Sequence, residues 1–309
     1  RAVASLYLTG TAIGPRRWHG TRRDDPNDTI PHEHRRDLRG MRVFAAWLGH
    51  DDSRAINSLD VLQDEPSPHV RHYLIDFGST LGSASSGPNS PRSGHVPFFS
   101  WKQSMQEFFT FGLYVPSWSM ARYPAYRSVG RIEHERFAPE RWVPEYPNPA
   151  FENMLPDDAF WAAKQVANFT DEEIRTVVRT GQISDADAEA WLVDCLIRRR
   201  DKISRAFFHP VLPLDRFRVE NDTLMFEDVG EKVLGPARYT IRWAGDETGP
   251  RLPAQPRQGG VLTANIEATD GRSVSVDLIG DRGKARVVGI TRTWRPGKNA
   301  KHVKLVGTR

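Results

Sequence analysis

The chain has 309 residues, of which 39% are hydrophobic and 27% charged, an ordinary globular composition with room for two domains. No apolar run approaches the roughly 20 residues that a membrane-spanning helix needs, so we expect no transmembrane segment. The single cysteine, Cys195, excludes an internal disulfide framework and a multi-cysteine zinc site. Its neighbours at helical spacing are apolar, which predicts a buried thiol.

The formal net charge is only +4, but nine Lys or Arg residues and no carboxylate lie between Arg282 and Arg309. Such a tail is able to contact nucleic acid or an acidic surface. We interpret it as a solvated terminal strand, because it contains one aromatic residue, Trp294, and no platform on which bases would stack. Nucleic acid is therefore not the expected partner. The first residues lack both a secretory signal and a Met, so we expect a fragment or a processed product.

The first half of the chain predicts one helix, one strand and two irregular stretches. From His34 apolar residues recur at spacings of three and four, and Gly49 ends this helix. Its apolar stripe consists of Leu38, Met41, Phe44, Ala45 and Leu48. Residues 70–75 predict a short strand. Gly and Ser residues in 79–93 predict a mobile loop, and the many aromatics and prolines of 94–155 predict an irregular layer over a helical core.

Three helices are predicted next. The first covers 156–168, and the second begins at a capping box of Thr170 and Glu173 and ends at Gly181. The third is predicted to be capped by Ser184 together with Asp187 and to end near Phe207. The basic residues Arg198, Arg199 and Arg200 on this last helix predict a solvated helix end rather than a nucleic-acid patch.

After Pro210 short alternating runs are separated by Gly, Pro and Asp, the pattern of an antiparallel sandwich of about 100 residues. We therefore expect an α+β protein with two domains. The first, residues 1–209, is mainly helical. The second, residues 210–309, is a small antiparallel β-sandwich.

The residues with the strongest chemical signal follow the first helix and the first strand. Phosphoryl transfer needs one carboxylate to accept the proton of the attacking hydroxyl, and oxygen ligands for the divalent cation on the phosphates. Asp52 suits the first role, and Arg54, two residues on, is a cation that would face the γ-phosphate. Asn57 and Asp76 supply oxygen ligands of the kind that Mg²⁺ or Mn²⁺ prefers. These four residues predict a phosphotransferase site.

The segment from His50 to Asn57 reads His-x-Asp-x-Arg-x-x-Asn and resembles the catalytic loop of protein kinases. Residues 76–78 read Asp-Phe-Gly and resemble the metal-binding motif of the same fold, in the expected order after a helix and a strand. The resemblance implies a protein-kinase-like C-lobe for residues 1–209 and ATP as phosphoryl donor. It places Phe77 and Gly78 against the bound nucleotide.

The same resemblance assigns roles to the individual residues. It makes Asp52 the catalytic base, makes Asn57 and Asp76 the ligands of Mg²⁺ or Mn²⁺, puts Arg54 where kinases often carry Lys, and gives His50 a structural role in the loop. More narrowly, the chain is similar to an uncharacterised bacterial family of kinase-like proteins. This likeness rests on residues 32–39, the two motifs, residues 157–163 and residues 199–203. It implies no particular acceptor, and it suggests export to the periplasm or the cell exterior.

Three features depart from the kinase pattern. Asp51 replaces the usual Arg of the catalytic loop, so control through an Arg-bound phosphorylated loop is not expected. The sequence Ala138-Pro139-Glu140 spells the motif that ends kinase activation loops, but it lies too far from Asp76 and we interpret it as coincidence. The 33 residues ahead of the helix contain neither a Gly-rich phosphate loop nor a strand Lys followed by a helix Glu. Either a preceding segment or a second chain supplies the N-lobe, or the protein is not a kinase.

Two functions remain open. The first is transfer of the γ-phosphoryl group of ATP to the hydroxyl of an unknown acceptor. The alternative is a catalytically inactive kinase-like scaffold that acts as a binding or structural assembly protein. Metal binding by His32 and His34 is a weaker hypothesis, because no third ligand is evident and polar residues are common at a helix start.

Overall fold

The chain divides into two compact units, Arg1–Ile203 and Ser204–Arg309. The structure is a computed structural model. It describes residues 7–64, 66–84, 86–111, 113–220 and 223–243, and then the strands at 252–253, 255–256, 261–265, 273–280, 283–293, 302–304 and 307–308. Within these residues, no helix combines the length and the apolar character needed to cross a bilayer.

The first unit is mainly helical. Its helices are α1 (Arg36–Leu48), α2 (Trp101–Phe109), α3 (Pro149–Glu152), α4 (Pro156–Asn168), α5 (Asp171–Thr180) and α6 (Ala186–Phe208). Its strands are β1 (Thr11–Gly14), β2 (Ser58–Gln63), β3 (His69–Leu74), β4 (Ser83–Ala84) and β5 (Gly87–Pro88). Short 3-10 helices lie at His32–His34, Ala55–Asn57, Ser117–Met120 and Pro139–Arg141.

Helix α1 packs closely against α4. Gly40 allows the approach, because a Cβ atom there would come within 2.9 Å of the Trp161 ring. Beside this contact Arg39 donates two hydrogen bonds to the buried carboxylate of Asp158, at 2.6 and 3.0 Å. Asp158 also accepts a hydrogen bond from the backbone of Leu155 and so caps the start of α4. One carboxylate thus joins the two helices and begins the second of them.

The predicted end of α1 at Gly49 is confirmed. Gly49 has φ of 65°, the left-handed region that glycine adopts without steric cost. Its backbone N–H donates to carbonyl oxygens of the last helical turn, at Ala45 and Ala46. The chain therefore leaves the helix in a fixed direction, and His50 is the first residue after the turn.

Strands β1, β2 and β3 form an antiparallel sheet in that order. The strand predicted over 70–75 is confirmed as β3, whereas β2 was not predicted. The two form a hairpin in which Ser58 faces Leu74 and Gln63 faces His69. This register returns the end of β3 to the start of β2, so the residues after Leu74 lie beside those before Ser58.

The helices that follow agree with the sequence except at one cap. The bounds of α4 match the prediction, and Thr170 and Glu173 form the predicted capping box of α5. The prediction that Ser184 caps α6 is wrong. Asp185 does so instead, since its carboxylate accepts hydrogen bonds from the backbone of Asp187 and Ala188 at 3.0 and 3.2 Å.

The predicted solvated end formed by the three arginines is also wrong. The side chain of Arg198 is 58% exposed, but that of Arg200 is 13% exposed and pairs with Asp171 and Asp201. Arg199 is buried and donates to backbone carbonyl oxygens of Trp47 and Glu133 at 2.9 and 2.7 Å. Its partners are distant in sequence, so local charge alone did not reveal its role.

The second unit consists of short antiparallel strands. They are β6 (Leu214–Glu220), β7 (Thr223–Asp228), β8 (Tyr239–Trp243), β9 (Leu252–Pro253), β10 (Gln255–Pro256), β11 (Val261–Asn265), β12 (Ser273–Gly280), β13 (Gly283–Thr293), β14 (His302–Lys304) and β15 (Gly307–Thr308), with a short helix α7 (Glu231–Leu234) between β7 and β8. One sheet has the order β10-β11-β7-β6, and another has β14-β13-β12-β8-β9 with β15 on β13. The α+β class is therefore confirmed.

Candidate functional site

The loop after α1 is held by its own hydrogen bonds. The Asn57 side-chain amide donates to the backbone oxygen of Asp52 at 2.8 Å, and the backbone N–H of Asn57 donates to the backbone oxygen of Arg54 at 3.0 Å. The Ser53 hydroxyl donates to the backbone oxygen of His50 at 3.2 Å. Asn57 lies five positions after Asp52, and these bonds close that stretch into a compact turn.

Asp52 forms an ion pair with Arg54. The guanidinium donates to both carboxylate oxygens, to Oδ2 at 2.9 Å. Partial burial raises the pKa of Asp52, but the hydrogen bonds from Arg54 more than offset this, and the net pKa lies below its ordinary value. Asp52 is therefore an ionised carboxylate at neutral pH. It is the state in which a carboxylate accepts a hydrogen bond from a hydroxyl group.

The Asp-Phe-Gly segment lies directly beside this loop. The backbone N–H of Ile75 donates to the backbone oxygen of Asn57 at 3.1 Å, and Asp76 is the next residue. Asp76 is exposed, and its Oδ1 accepts a hydrogen bond from the Gly78 backbone at 2.8 Å. The hairpin of β2 and β3 thus carries Asp76 back to Asn57, although Asp76 lies 19 positions further along the sequence.

His50 and Phe77 join the two segments through their rings. Their centroids lie 5.8 Å apart with the planes tilted by 36°. His50 is buried, and burial lowers the pKa of its imidazole. A neutral ring at this point packs against Phe77 without adding positive charge to the loop. The structural role expected for His50 stays a prediction.

Asp51 is a buried acid. Its Oδ2 accepts hydrogen bonds from the Ser93 hydroxyl at 2.5 Å and the Asn89 amide at 2.8 Å. Burial raises the pKa of this carboxyl group. Asp51 therefore anchors the segment predicted as a mobile loop, and the mobility itself stays a prediction.

Two residues beside Asp52 were not predicted. The Arg54 guanidinium lies 4.6 Å from the ring centroid of Tyr146, and Glu145 donates from its backbone N–H to Asp51 at 2.9 Å. Burial, followed by the charges of Asp51 and Asp52, raises the pKa of Glu145. No local pattern in the sequence points to this pair, because it reaches the loop from a distant, proline-rich segment.

Asn57 and Asp76 carry oxygen atoms of the kind that a hard divalent cation prefers. The Asn57 amide nitrogen is already used in a hydrogen bond to Asp52, so its Oδ1 is the atom left for a ligand role. Asp76 contributes a second, exposed oxygen donor on the adjoining segment. In the part of the chain that the structure describes, no group of three or more His, Cys, Asp or Glu side chains converges as a metal site would.

A cavity of about 690 Å³ lies away from Asp52. It is lined by polar residues of α2, by residues 131–133 and 135–138, and by Arg199 and Lys202. The 3-10 helix at Pro139–Arg141 contains Pro139 and Glu140 and borders this region. None of the residues assigned to phosphoryl transfer lines the cavity, so it does not extend their site.

Two other sequence hypotheses are resolved. His32 is buried, and its two ring nitrogens contact the backbone oxygen of Arg17 at 2.6 Å and the Asp28 carboxylate at 2.7 Å. This ring therefore has protein partners on both sides. Cys195 is a buried free thiol, as predicted, and burial raises its pKa to about 12.

Comparisons with protein-family models, with curated proteins and with solved structures found no match.

Proposed function

We propose that this chain carries the catalytic loop of an ATP-dependent phosphotransferase that moves the γ-phosphoryl group to a hydroxyl acceptor. One observation carries the proposal. The hydrogen bond from Ile75 to Asn57 brings the residues before β2 and those after β3 together. As a result, the segment that carries Asp52 and Asn57 lies next to the segment that carries Asp76.

The reaction assigns a separate task to each side chain. Asp52 accepts a hydrogen bond from the acceptor hydroxyl and takes its proton as the oxygen attacks the γ-phosphorus, while the bond to the β-phosphate oxygen breaks. Arg54 holds Asp52 ionised through their ion pair, and its charge would face the transferred group. Phe77 and Gly78 would lie against the nucleotide. Asn57 ties its amide to Asp52 and so fixes the distance between base and ligand residues.

Asn57 and Asp76 would hold Mg²⁺ or Mn²⁺ through their oxygens. When bound, such a cation neutralises charge on the phosphates during transfer. The protein's share of this task is to keep both ligands oriented, Asn57 by its bond to Asp52 and Asp76 by its bond to Gly78.

The finer description of the fold is part of the same proposal. We place the first unit in the kinase-like C-lobe class because a helix, a motif loop, a hairpin and Asp-Phe-Gly follow one another in that order. We describe the second unit as a β-sandwich formed by its two antiparallel sheets. The lobe that covers ATP would come from a preceding segment or from a second chain.

Titration of the full-length gene product with ATP, by calorimetry with Mg²⁺ and again with EDTA, tests the proposal. We expect metal-dependent binding that Asp76→Asn weakens by about tenfold or more. The matched control is Asp64→Asn, which removes an exposed carboxylate from the turn between β2 and β3. Binding that ignores both the metal and Asp76 would remove the basis for the proposed site.

The alternative is an inactive scaffold that binds a partner. It is favoured by the ion pair of Asp52, since Arg54 engages both oxygens that an acceptor hydroxyl would need. Metal-dependent ATP binding without any γ-phosphate turnover, in the presence of a complete N-lobe, is the result that would select this function.

A further inference from the structure

Helix α2 buries a polar side chain and exposes its aromatic side chains. Gln103 is 7% exposed, whereas Trp101 and Phe108 are 70% and 71% exposed. Trp101, Met105, Phe108 and Phe109 share one helical face, and Gln103 lies opposite. The inner face borders a polar cavity through Gln103 and its neighbours rather than an apolar core. The aromatic side chains of α2 are therefore not buried by packing within the described part of the chain.

The exposed apolar residues continue beyond the helix. Of the nineteen large hydrophobic side chains exposed in the described part of the chain, eleven lie between 98 and 120. We call them the aromatic surface. They are Phe98, Phe99, Trp101, Met105, Phe108, Phe109, Phe111, Leu113, Tyr114, Val115 and Met120. Monomeric globular proteins rarely expose so much apolar surface unless it binds something.

Cations accompany the aromatic surface. Residues 91–131 contain five Lys or Arg residues and one carboxylate, so this segment alone has the net charge of the whole chain, +4. The five are Arg92, Lys102, Arg122, Arg127 and Arg131, and all are exposed. In the part of the chain that the structure describes, none of them pairs with a carboxylate. Elsewhere in the same unit several arginines are paired with a carboxylate, as Arg39 is with Asp158.

We propose that the aromatic surface docks onto an anionic lipid bilayer, with α2 lying in the interface. Trp and Phe side chains partition into the headgroup region, and the aliphatic residues reach the acyl boundary. Each unpaired cation near an anionic bilayer strengthens the attraction to it. Unpaired charge and exposed apolar area thus favour the same occupant.

Other macromolecules fit these observations less well. A protein partner also suits a surface rich in aromatic residues, Met and Arg, but it would have to match the excess of positive charge with specific carboxylates and complement the shape of the surface. Single-stranded nucleic acid stacks on aromatic faces within a groove, and it would gain little from Met105, Leu113 and Val115. A fluid lipid surface accepts all these side chains without requiring complementary shape.

Docking would also bring the lipid close to the candidate site. The ring of Phe98 stacks on that of Tyr146 with centroids 6.0 Å apart, and Arg54 lies over the same Tyr146 ring. The proposal does not depend on phosphoryl transfer, because it rests on the exposed surface alone.

Co-sedimentation of the full chain with two kinds of vesicle tests the proposal: phosphatidylcholine alone, and phosphatidylcholine mixed with phosphatidylglycerol. We expect binding to the anionic vesicles that weakens with added salt. Phe108→Ser combined with Phe109→Ser should weaken it by about tenfold or more, because two exposed rings no longer enter the interface. Lys102→Glu should weaken it by about fivefold or more.

Two matched controls separate the surface from the rest of the chain. Val177→Ser removes an exposed apolar residue of α5, and Arg71→Glu reverses an exposed cation on β3. Both should bind anionic vesicles like the wild type. Equal loss in the controls, or no binding to either vesicle, would overturn the proposal. Fluorescence anisotropy with a single-stranded oligonucleotide, and analytical ultracentrifugation for self-association, are run on the same variants. If the oligonucleotide or a second copy of the chain binds the aromatic surface and vesicles do not, the proposal is also overturned.

Discussion

The guanidinium of Arg199 donates a hydrogen bond from Nε to the carbonyl oxygen of Trp47 at 2.9 Å, and this bond joins α6 to the last turn of α1. The same group donates to Ala46 and Glu133 and lies 3.6 Å from the ring centroid of Phe137. A cation at the carbonyl end of a helix is favourable because it complements the helix dipole. Arg199 therefore fixes the helix end from which the candidate catalytic loop departs.

Arg199→Met should destabilise the first unit by about 3 kcal/mol, because three buried carbonyl oxygens lose their charged donor. Arg198→Met is the matched control. It removes an exposed neighbour and should change the free energy of unfolding by no more than about 0.5 kcal/mol. Urea unfolding followed by circular dichroism measures both. Equal stability of the two variants would show that Arg199 does not hold the helix end.

Asp158→Asn should cost about 3 kcal/mol, since Arg39 would keep its charge while its buried partner became neutral. The comparison is Asp157→Asn, which changes the adjacent, exposed carboxylate on the same helix. Thermal unfolding should separate the two by several degrees. A loss in Asp157→Asn as large as in Asp158→Asn would instead assign the effect to charge at the start of α4.

Asp51 makes the stability of the first unit depend on pH. Its pKa is raised in the folded state, so the folded chain holds this proton more tightly than the unfolded chain does. The contribution of Asp51 favours folding at low pH and is lost as the pH rises through its folded pKa. Asp51→Asn should therefore gain stability over the wild type between acidic and neutral pH, by about 1 kcal/mol or more. The measurement is the urea midpoint of each protein across that pH range, with Asp64→Asn as a control whose difference from the wild type should not change with pH. A difference between Asp51→Asn and the wild type that stays constant with pH would contradict this prediction.

Cys195 should resist thiol reagents in the folded protein. Burial raises the pKa of its thiol to about 12, so almost no thiolate is present near neutral pH. We expect reaction with a disulfide reagent to be about a hundredfold slower than in urea. The chain has no other cysteine to obscure the signal. Rapid stoichiometric labelling of the native protein would contradict the buried position.

Local signals predicted much of the helical part. The end of α1 at Gly49 and the capping box of Thr170 and Glu173 each depend on residues within one helical turn. A local sequence pattern is therefore enough to predict them. Helix α2 was missed for the opposite reason. Its apolar side chains face outward, and Gln103 faces inward, so no core-facing stripe marks it.

The sequence selects the residues of the candidate site, whose roles stay predictions, but it does not indicate what surrounds them. The motif residues follow one another in a recognisable order, and the hairpin that joins them is short. Arg199 contacts Trp47 from 152 positions further along the sequence, and Glu145 contacts Asp51 from 94 positions further along. Such contacts depend on how helices pack, which no local pattern encodes.

The most direct test of the proposed phosphoryl transfer separates binding from turnover in two variants of the full-length gene product. Release or transfer of the γ-phosphate from labelled ATP is measured beside ATP affinity. Asp52→Asn should bind ATP with Mg²⁺ like the wild type and lose turnover by about a hundredfold or more, because the base is gone and the ligands remain. Asp76→Asn should lose affinity. Undiminished turnover in Asp52→Asn would contradict the assignment of this loop as catalytic.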